Sequence, residues 1–186
     1  MAIEITDYPS SSDYEHIYRL LDHVTPLDYD CGILCGKACC NPAYPGTGIY
    51  LLPNEDSMFS RHEDWLEWEE HQAAQYDFPP SWTGRVLFVR CTRPCHREQR
   101  PIQCRTFPLA PHLLHGQKLV LIKEVLSLPY QCPILKQDIP LSPNFAPALY
   151  EAWSLLNQTR LIHDLLVYDS RKRERNRWLR LEQVYP

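Results

Sequence analysis

Polar and apolar positions along this chain change period several times, and each change marks an element. Residues 12–23 carry apolar side chains at helical spacing, with Ile17, Leu20 and Leu21 forming a stripe. Ser12, with Glu15 three positions later, supplies a capping pair, so the pattern predicts a short helix there. "GIYLLP" (48–53) reads as a short strand, after which Asn54 is placed to cap a second helix whose Met58, Trp65 and Trp68 face a core. "RVLFVR" (85–90) and "KLVLIKEVL" (118–126) are β-branched and apolar and are the clearest strands. Paired antiparallel, they hang Cys91, Cys95 and Cys104 in a loop from one end of a sheet. Beyond Pro147, a helix to about Val167 is predicted, with Leu149, Trp153 and Leu156 on one side. The expected fold is therefore α+β: a small antiparallel sheet with several helices, and irregular cysteine-rich loops around a metal site. No internal repeat divides the chain, so residues 1–186 are read as a single domain.

Composition changes this picture in one respect. At 186 residues the chain can bury a normal core without cross-links. Its net charge of −4 gives no general attraction to nucleic acid or to an anionic membrane surface. Seventeen prolines against six glycines predict many rigid, irregular connections. The N-terminus has early acids and no apolar signal region, and no run approaches the roughly 18 apolar residues of a membrane span. A cytoplasmic location is expected, with no membrane partner.

The chemistry is in the eight cysteines. "DCGILCGKACC" holds Cys31, Cys35, Cys39 and Cys40; Cys91, Cys95 and Cys104 form a second group, and Cys132 stands apart. In a reducing compartment such clusters read as metal ligands before disulfides. Zinc or an iron-sulfur cluster wants about four thiolates, and cysteines two to four residues apart supply two from one turn. Cys31/Cys35, Cys35/Cys39 and Cys91/Cys95 meet that spacing. Cys39 and Cys40 point apart along most backbones, which favours two sites or one multinuclear site. No C-x-x-C exchange pair occurs, and the first cluster is not the C-x-x-x-C-x-x-C run of radical enzymes that cleave S-adenosylmethionine.

"CGILCGKACC", "GIYLLPNE", "RPIQCRTFP" and the "QCP" at 131–133 together resemble the zinc- or iron-chelating cysteine-cluster domain with a CxxCxxCC signature. The resemblance spans roughly residues 30–133, and "RPIQCRTFPL" is its most specific part. The first cluster departs from it, reading C-x-x-x-C-x-x-x-C-C. The resemblance implies a metal or iron-sulfur site built from about eight cysteines. A flagellin lysine N-methylase is similar in carrying such a domain, which implies methyl transfer as one family chemistry. No glycine-rich strand-loop-helix for S-adenosylmethionine is present.

Arg100 and Arg105 flank Cys104 and are candidates to offset thiolate charge at a bound cofactor. His96 follows Cys95, but adjacent ligands are awkward, and it is read as a non-ligand. His112 and His115 stand at helical spacing, but Pro108 and Pro111 just before them argue against a continuous helix there. Asp28, Asp30 and Glu98 are the acids nearest the cysteines and are read as caps or surface charges, so no hydrolysis is expected. "RKRERNRWLR" (171–180) is read as a solvated helical face with Trp178 and Leu179 packed inwards, its alternative being a surface for a protein partner. The acidic "HEDWLEWEEH" (62–71) balances it in sign and could meet it within or between molecules. Cys132 precedes a proline, as the last cysteine of bacterial ferredoxin runs does. An iron-sulfur cluster, of the four-iron, four-sulfur type, is the first expectation, with a redox or metal-handling role. A zinc-stapled interaction module is the second, and a methyltransferase-associated domain the third.

Overall fold

A computed structural model describes residues 6–40, 48–93, 95, 97–115 and 117–186, and Cys40 by its backbone alone. It shows helices with two three-stranded antiparallel sheets, an α+β arrangement. Helix α1, Ser11–Leu20, is capped by Ser10, two residues before the expected cap. Ser10 Oγ accepts from the Asp13 N–H at 3.2 Å while Asp13 Oδ2 accepts from the Ser10 N–H at 2.8 Å. This reciprocal box satisfies two donors that a helix start leaves open, which Ser12 and Glu15 do not do. Tyr14, Ile17 and Tyr18 are the face that α1 buries.

The first sheet has the order β1-β3-β2, formed by Ile49–Tyr50, Arg85–Cys91 and Leu66–Gln72. The helix expected beyond Asn54 is only a 3-10 turn, Glu55–Met58, and Trp68 lies in strand β2. All seven residues of β2 pair with β3, and ladder pairing overrides the helical spacing of the tryptophans. The acids of this stretch are also accounted for here. Glu67 pairs with Arg90 directly across the ladder, Arg85 Nη1 lies 3.0 Å from Glu70 Oε1, and Arg93 Nη1 lies 2.9 Å from Asp64 Oδ2. Three of the stretch's five acids are thus paired with arginines of β3 and the turn after it, and among the described residues no ion pair joins the stretch to the basic C-terminal run.

Strands 85–90 and 118–126 do not pair with each other, contrary to the sequence reading. The second sheet has the order β4-β5-β6: Leu109–Leu114, Lys118–Lys123 and Gln183–Tyr185. Strand β4 carries Pro111 and His112 and shows no alternation, because both its faces are covered. Leu109, Leu113, Leu119 and Leu121 join the main core with α1 and the last two helices, while Ala110, Val120 and Ile122 pack beneath the opposite face.

The helix expected to run to Val167 is two helices, α5 (Phe145–Leu156) and α6 (Arg160–Arg175). Thr159 is extended and returns its hydroxyl to the Leu156 carbonyl, while the Arg160 and Leu161 N–H groups donate to Thr6 and Asp7 carbonyls. The N-terminal segment thereby satisfies the open donors of α6. Past α6, Trp178 is 95 % exposed, so it does not pack inwards; Leu179 is half-buried. No described helix is long and apolar enough to cross a membrane.

One buried group gives this core a pH dependence. His112 is 1 % exposed, neither ring nitrogen has a hydrogen-bond partner among the described residues, and Glu174 Oε1 is 3.6 Å from its Nε2. Burial, and then the Arg173 charge, push its pKa below the ordinary value against the pull of Glu174. The unfolded imidazole therefore takes a proton at a higher pH than the folded one. Stability is full above about pH 6.5 and falls as pH drops from there towards the lowered folded value, by about 1.4 kcal/mol for each unit of lowering. Denaturant midpoints at pH ~7.5 and ~5 should show a smaller acid loss in His112→Leu than in the parent; equal losses would remove His112 as the cause.

Candidate metal centre

The first cysteine cluster is shaped by a very short helix, α2, Gly32–Cys35. Asp30 Oδ1 accepts from the Gly32 N–H at 2.9 Å and opens it, so Asp30 acts as a cap. Cys31 is the N-cap residue with helical dihedrals, and Cys35, four positions on, shares its face. Gly36 (φ 59°) and Lys37 (φ 59°) then both enter the left-handed region and turn the chain back, delivering a 3-10 turn, Ala38–Cys40. Gly36 meets this at no steric cost. Asp28 is held elsewhere, accepting from the Ser142 hydroxyl at 2.6 Å.

Cys132 arrives from the other end of the chain as N-cap of a second short helix, α4 (Pro133–Lys136). Cys31, Cys35, Cys39 and Cys132 together line a cavity of about 30 Å³, closed by Phe107, Pro108, Tyr130 and Ile134. That volume accommodates about one ion or water.

The second group is not a simple loop. Cys91 ends β3, Cys95 lies in the connection after it, and Cys104 is inside helix α3, Ile102–Thr106. These three line a much larger cavity, about 930 Å³, to which Cys39 also contributes. Cys39 is thus common to both cavities, and the two cysteine groups meet there. Seven thiols are described, none of them in a disulfide; the side chain of Cys40, and His96, lie outside the described residues. As the side chains stand, no group of three His, Cys, Asp or Glu among the described residues could hold a metal ion. Cysteines from four chain segments border the two cavities.

The electrostatics of the thiols follow from this crowding. Burial, then the proximity of Cys95 and Cys39, pushes Cys104 up to about 12. A hydrogen bond with Cys95, followed by burial, raises Cys91 far above the ordinary thiol range. Burial, then Cys39, raises Cys31, and burial raises Cys132 against the Leu135 and Ile134 N–H groups. Burial and mutual repulsion therefore favour the protonated form of Cys31, Cys91, Cys104 and Cys132.

The two arginines separate in role. Arg100 Nε donates to Cys95 Sγ at 3.0 Å, and its charge lowers Cys31, Cys91 and Cys104 against the larger raising causes. Arg105 is 2 % exposed and directed away from the thiols. It donates to the carbonyls of Arg100 (2.9 Å), Glu98 and Tyr18 (3.3 Å) and lies 4.2 Å over the Tyr18 ring. Arg105 therefore builds the framework that carries Cys104.

Two features escape a reading of the sequence. Glu55, fully buried, accepts from the Tyr18 hydroxyl (3.0 Å) and the N–H groups of Leu52 (3.0 Å) and Ile102 (2.7 Å), tying α1 and the β1 exit to the start of α3. No local motif marks it. The second is a hydrogen-bonded chain on the first sheet: Tyr50 Oη to His71 Nδ1 at 2.8 Å, and His71 Nε2 to Glu69 Oε2 at 3.2 Å. Reading 66–72 as a strand would have put Glu69 and His71 on one face. The chain matches no protein-family model, no curated protein and no solved structure in comparison.

Replacing Glu55 tests the coupling of this scaffold to the thiols. Glu55→Gln keeps one acceptor oxygen where two are used and turns an amide towards a buried N–H. Urea unfolding should show a loss of about 1–3 kcal/mol, with faster alkylation of Cys104 in the folded state. An unchanged midpoint would show that the carboxylate is not structural.

Proposed function

We propose that this chain is a cysteine-thiolate metalloprotein that holds an iron-sulfur cluster, of the four-iron, four-sulfur type, in a redox or metal-handling role. The observation that carries this reading is the meeting of the two cysteine groups at Cys39. A tetrahedral zinc ion is satisfied by four thiolates, whereas this region offers seven described thiols beside the Cys40 backbone. The raised pKa values of Cys31, Cys91, Cys104 and Cys132 support the same reading, since a metal is the group whose charge relieves the repulsion among the thiolates.

The 30 Å³ cavity favours a second reading, a single zinc held by Cys31, Cys35, Cys39 and Cys132, stapling an interaction module. Both readings place the protein in the reducing cytoplasm, where thiols are kept free for metal. The basic run at 171–180, with its exposed Trp178, is the surface we assign to an acidic protein partner.

Anaerobic purification followed by metal and sulfide analysis decides between these readings. The proposal expects a brown protein containing iron and acid-labile sulfide, with both lost in Cys39→Ser and in Cys104→Ser, together with part of the stability. Colourless protein with stoichiometric zinc, retained in Cys104→Ser but lost in Cys35→Ser, would establish the zinc module instead. Protein that takes up neither metal would overturn both.

A further inference from the structure

The 930 Å³ cavity extends well beyond the thiols, and most of its wall is unrelated to metal binding. Register explains how the wall is built. Tyr50 on β1 lies opposite Phe88 on β3, which lies opposite Glu69 on β2, so these three and His71 share one sheet face. Tyr50 is the hub of an aromatic group, with ring centroids 5.6 Å from Tyr76, 4.8 Å from Phe78 and 5.0 Å from Phe88; Phe78 stacks on Trp82 at 4.9 Å. Gly48 lets the chain pass this face closely, since a Cβ there would lie 2.2 Å from Phe88 Cζ. Tyr50, Tyr76, Phe78, Trp82 and Phe88 all line the cavity. Its volume suits a small organic molecule.

The polar groups of the wall set the sign of the ligand. Three acids line it, Asp77, Glu124 and Asp169. Asp77 is taken by Lys172 and the Tyr168 hydroxyl, and Glu124 accepts from the N–H groups of Val125 (2.8 Å) and Leu126 (3.0 Å). Asp169, half-buried on α6, has no hydrogen bond or ion pair among the described residues. Its helix neighbours Lys172 and Arg173 act on it through space while bonding to Asp77 and to the Pro111 carbonyl. Arg100, the cavity's cation, bonds to Cys95 at the far end. Tyr50 adds a directed acceptor. A carboxylate only accepts, so Glu69 orients a proton on His71 Nε2 and leaves Nδ1 to accept from the Tyr50 hydroxyl; the phenol oxygen then accepts from the Tyr76 hydroxyl and keeps one lone pair for the cavity.

We propose that this cavity binds a small organic cation, an ammonium group on an apolar or aromatic body, with the body against Tyr50, Phe78, Trp82 and Phe88 and the ammonium at Asp169. Aromatic faces and a carboxylate without a partner both favour a cation over a neutral or anionic molecule of the same shape. The site goes beyond the metal reading and does not require it, because Asp169 and the aromatic group belong to α6, the first sheet and its connections.

The test uses the full-length protein as purified and two probes of one shape and opposite charge, 4-phenylbutylamine and 4-phenylbutyrate, followed by calorimetry and by Trp fluorescence. The expected result is saturable binding of the amine, at least about tenfold tighter than the carboxylate. It should weaken about tenfold in Asp169→Asn and several-fold in Tyr50→Phe, with metal content unchanged in both variants. No saturable amine binding, equal or tighter binding of 4-phenylbutyrate, or affinity unaffected in both variants would overturn it. If Asp169→Asn fails to fold, Tyr50→Phe and the charge preference decide. Metal content serves only as a check that the variants leave the thiol region intact and decides no arm, so failure of the metal reading and failure of this one are told apart.

Discussion

The carboxylate of Glu55 is the interaction on which the rest of the arrangement depends. It is buried with no salt bridge among the described residues and is held by three donors from three parts of the chain: Tyr18 on α1, Leu52 just past β1, and Ile102 at the start of α3. A charge so placed is costly unless its lone pairs are used, so all three segments must be present together for any of them to be stable there. Burial still lifts its proton affinity above the ordinary carboxylate range, against those donors and the Arg105 charge. Arg105 completes the unit by stacking on Tyr18 and donating to carbonyls of residues 98, 100 and 18. The segment carrying Arg100 and Cys104 is thereby fixed to α1 before any metal is considered.

From this unit the positions of both cavities follow. Gln103 Nε2 donates to the Tyr50 carbonyl at 2.8 Å, locking α3 to the first sheet, and Trp65 Nε1 reaches Gln99 at 3.1 Å from the entry to β2. The thiol end of the large cavity is therefore set by rigid elements. Its aromatic end is set by the register of β1 on β3, and Trp82 closes it by donating to the Leu161 carbonyl of α6 at 2.9 Å. The two ends are held by separate contacts, which is why one cavity can carry two unrelated kinds of chemistry.

How far the sequence could be read depended on whether a segment answers to its own pattern or to a neighbour's. Strand β3 and the start of β5 were legible because their β-branched runs are strands in any pairing. Their partners were not: β2 carries tryptophans at helical spacing and becomes a strand only through its ladder with β3, and β4 is interrupted by Pro111 and hidden by burial on both faces. The break at residues 157–159 depends on Thr6 and Asp7, some 150 positions away, accepting the donors of α6. At the site, cysteine spacing identified the thiols, and helical turns explain Cys31 with Cys35. Proximity in sequence to Cys104 did not foretell that Arg105 gives its donors to the carbonyls of residues 98, 100 and 18. Tyr50 and Asp169 reach one cavity, and Glu55 reaches its three donors, only through sheet register and helix docking, and no spacing announces them.

The two thiol groups differ in how firmly the protein holds them, and this decides what a metal would do. Cys91 and Cys104 belong to a paired strand and to the Glu55-anchored helix. Cys31, Cys35 and Cys39 sit on a segment whose backbone hydrogen bonds among the described residues are local, from Gly32, Ile33, Leu34 and Lys37 to positions 30–32. Such a segment opens at low cost. Ligation that joins Cys39 to Cys132 or Cys104 would close long loops of chain and order the weaker group against the stronger, so metal affinity and local stability become one quantity. The proton balance points the same way: thiols held protonated by burial and by each other must release those protons to a metal, and binding should tighten as pH rises towards their range.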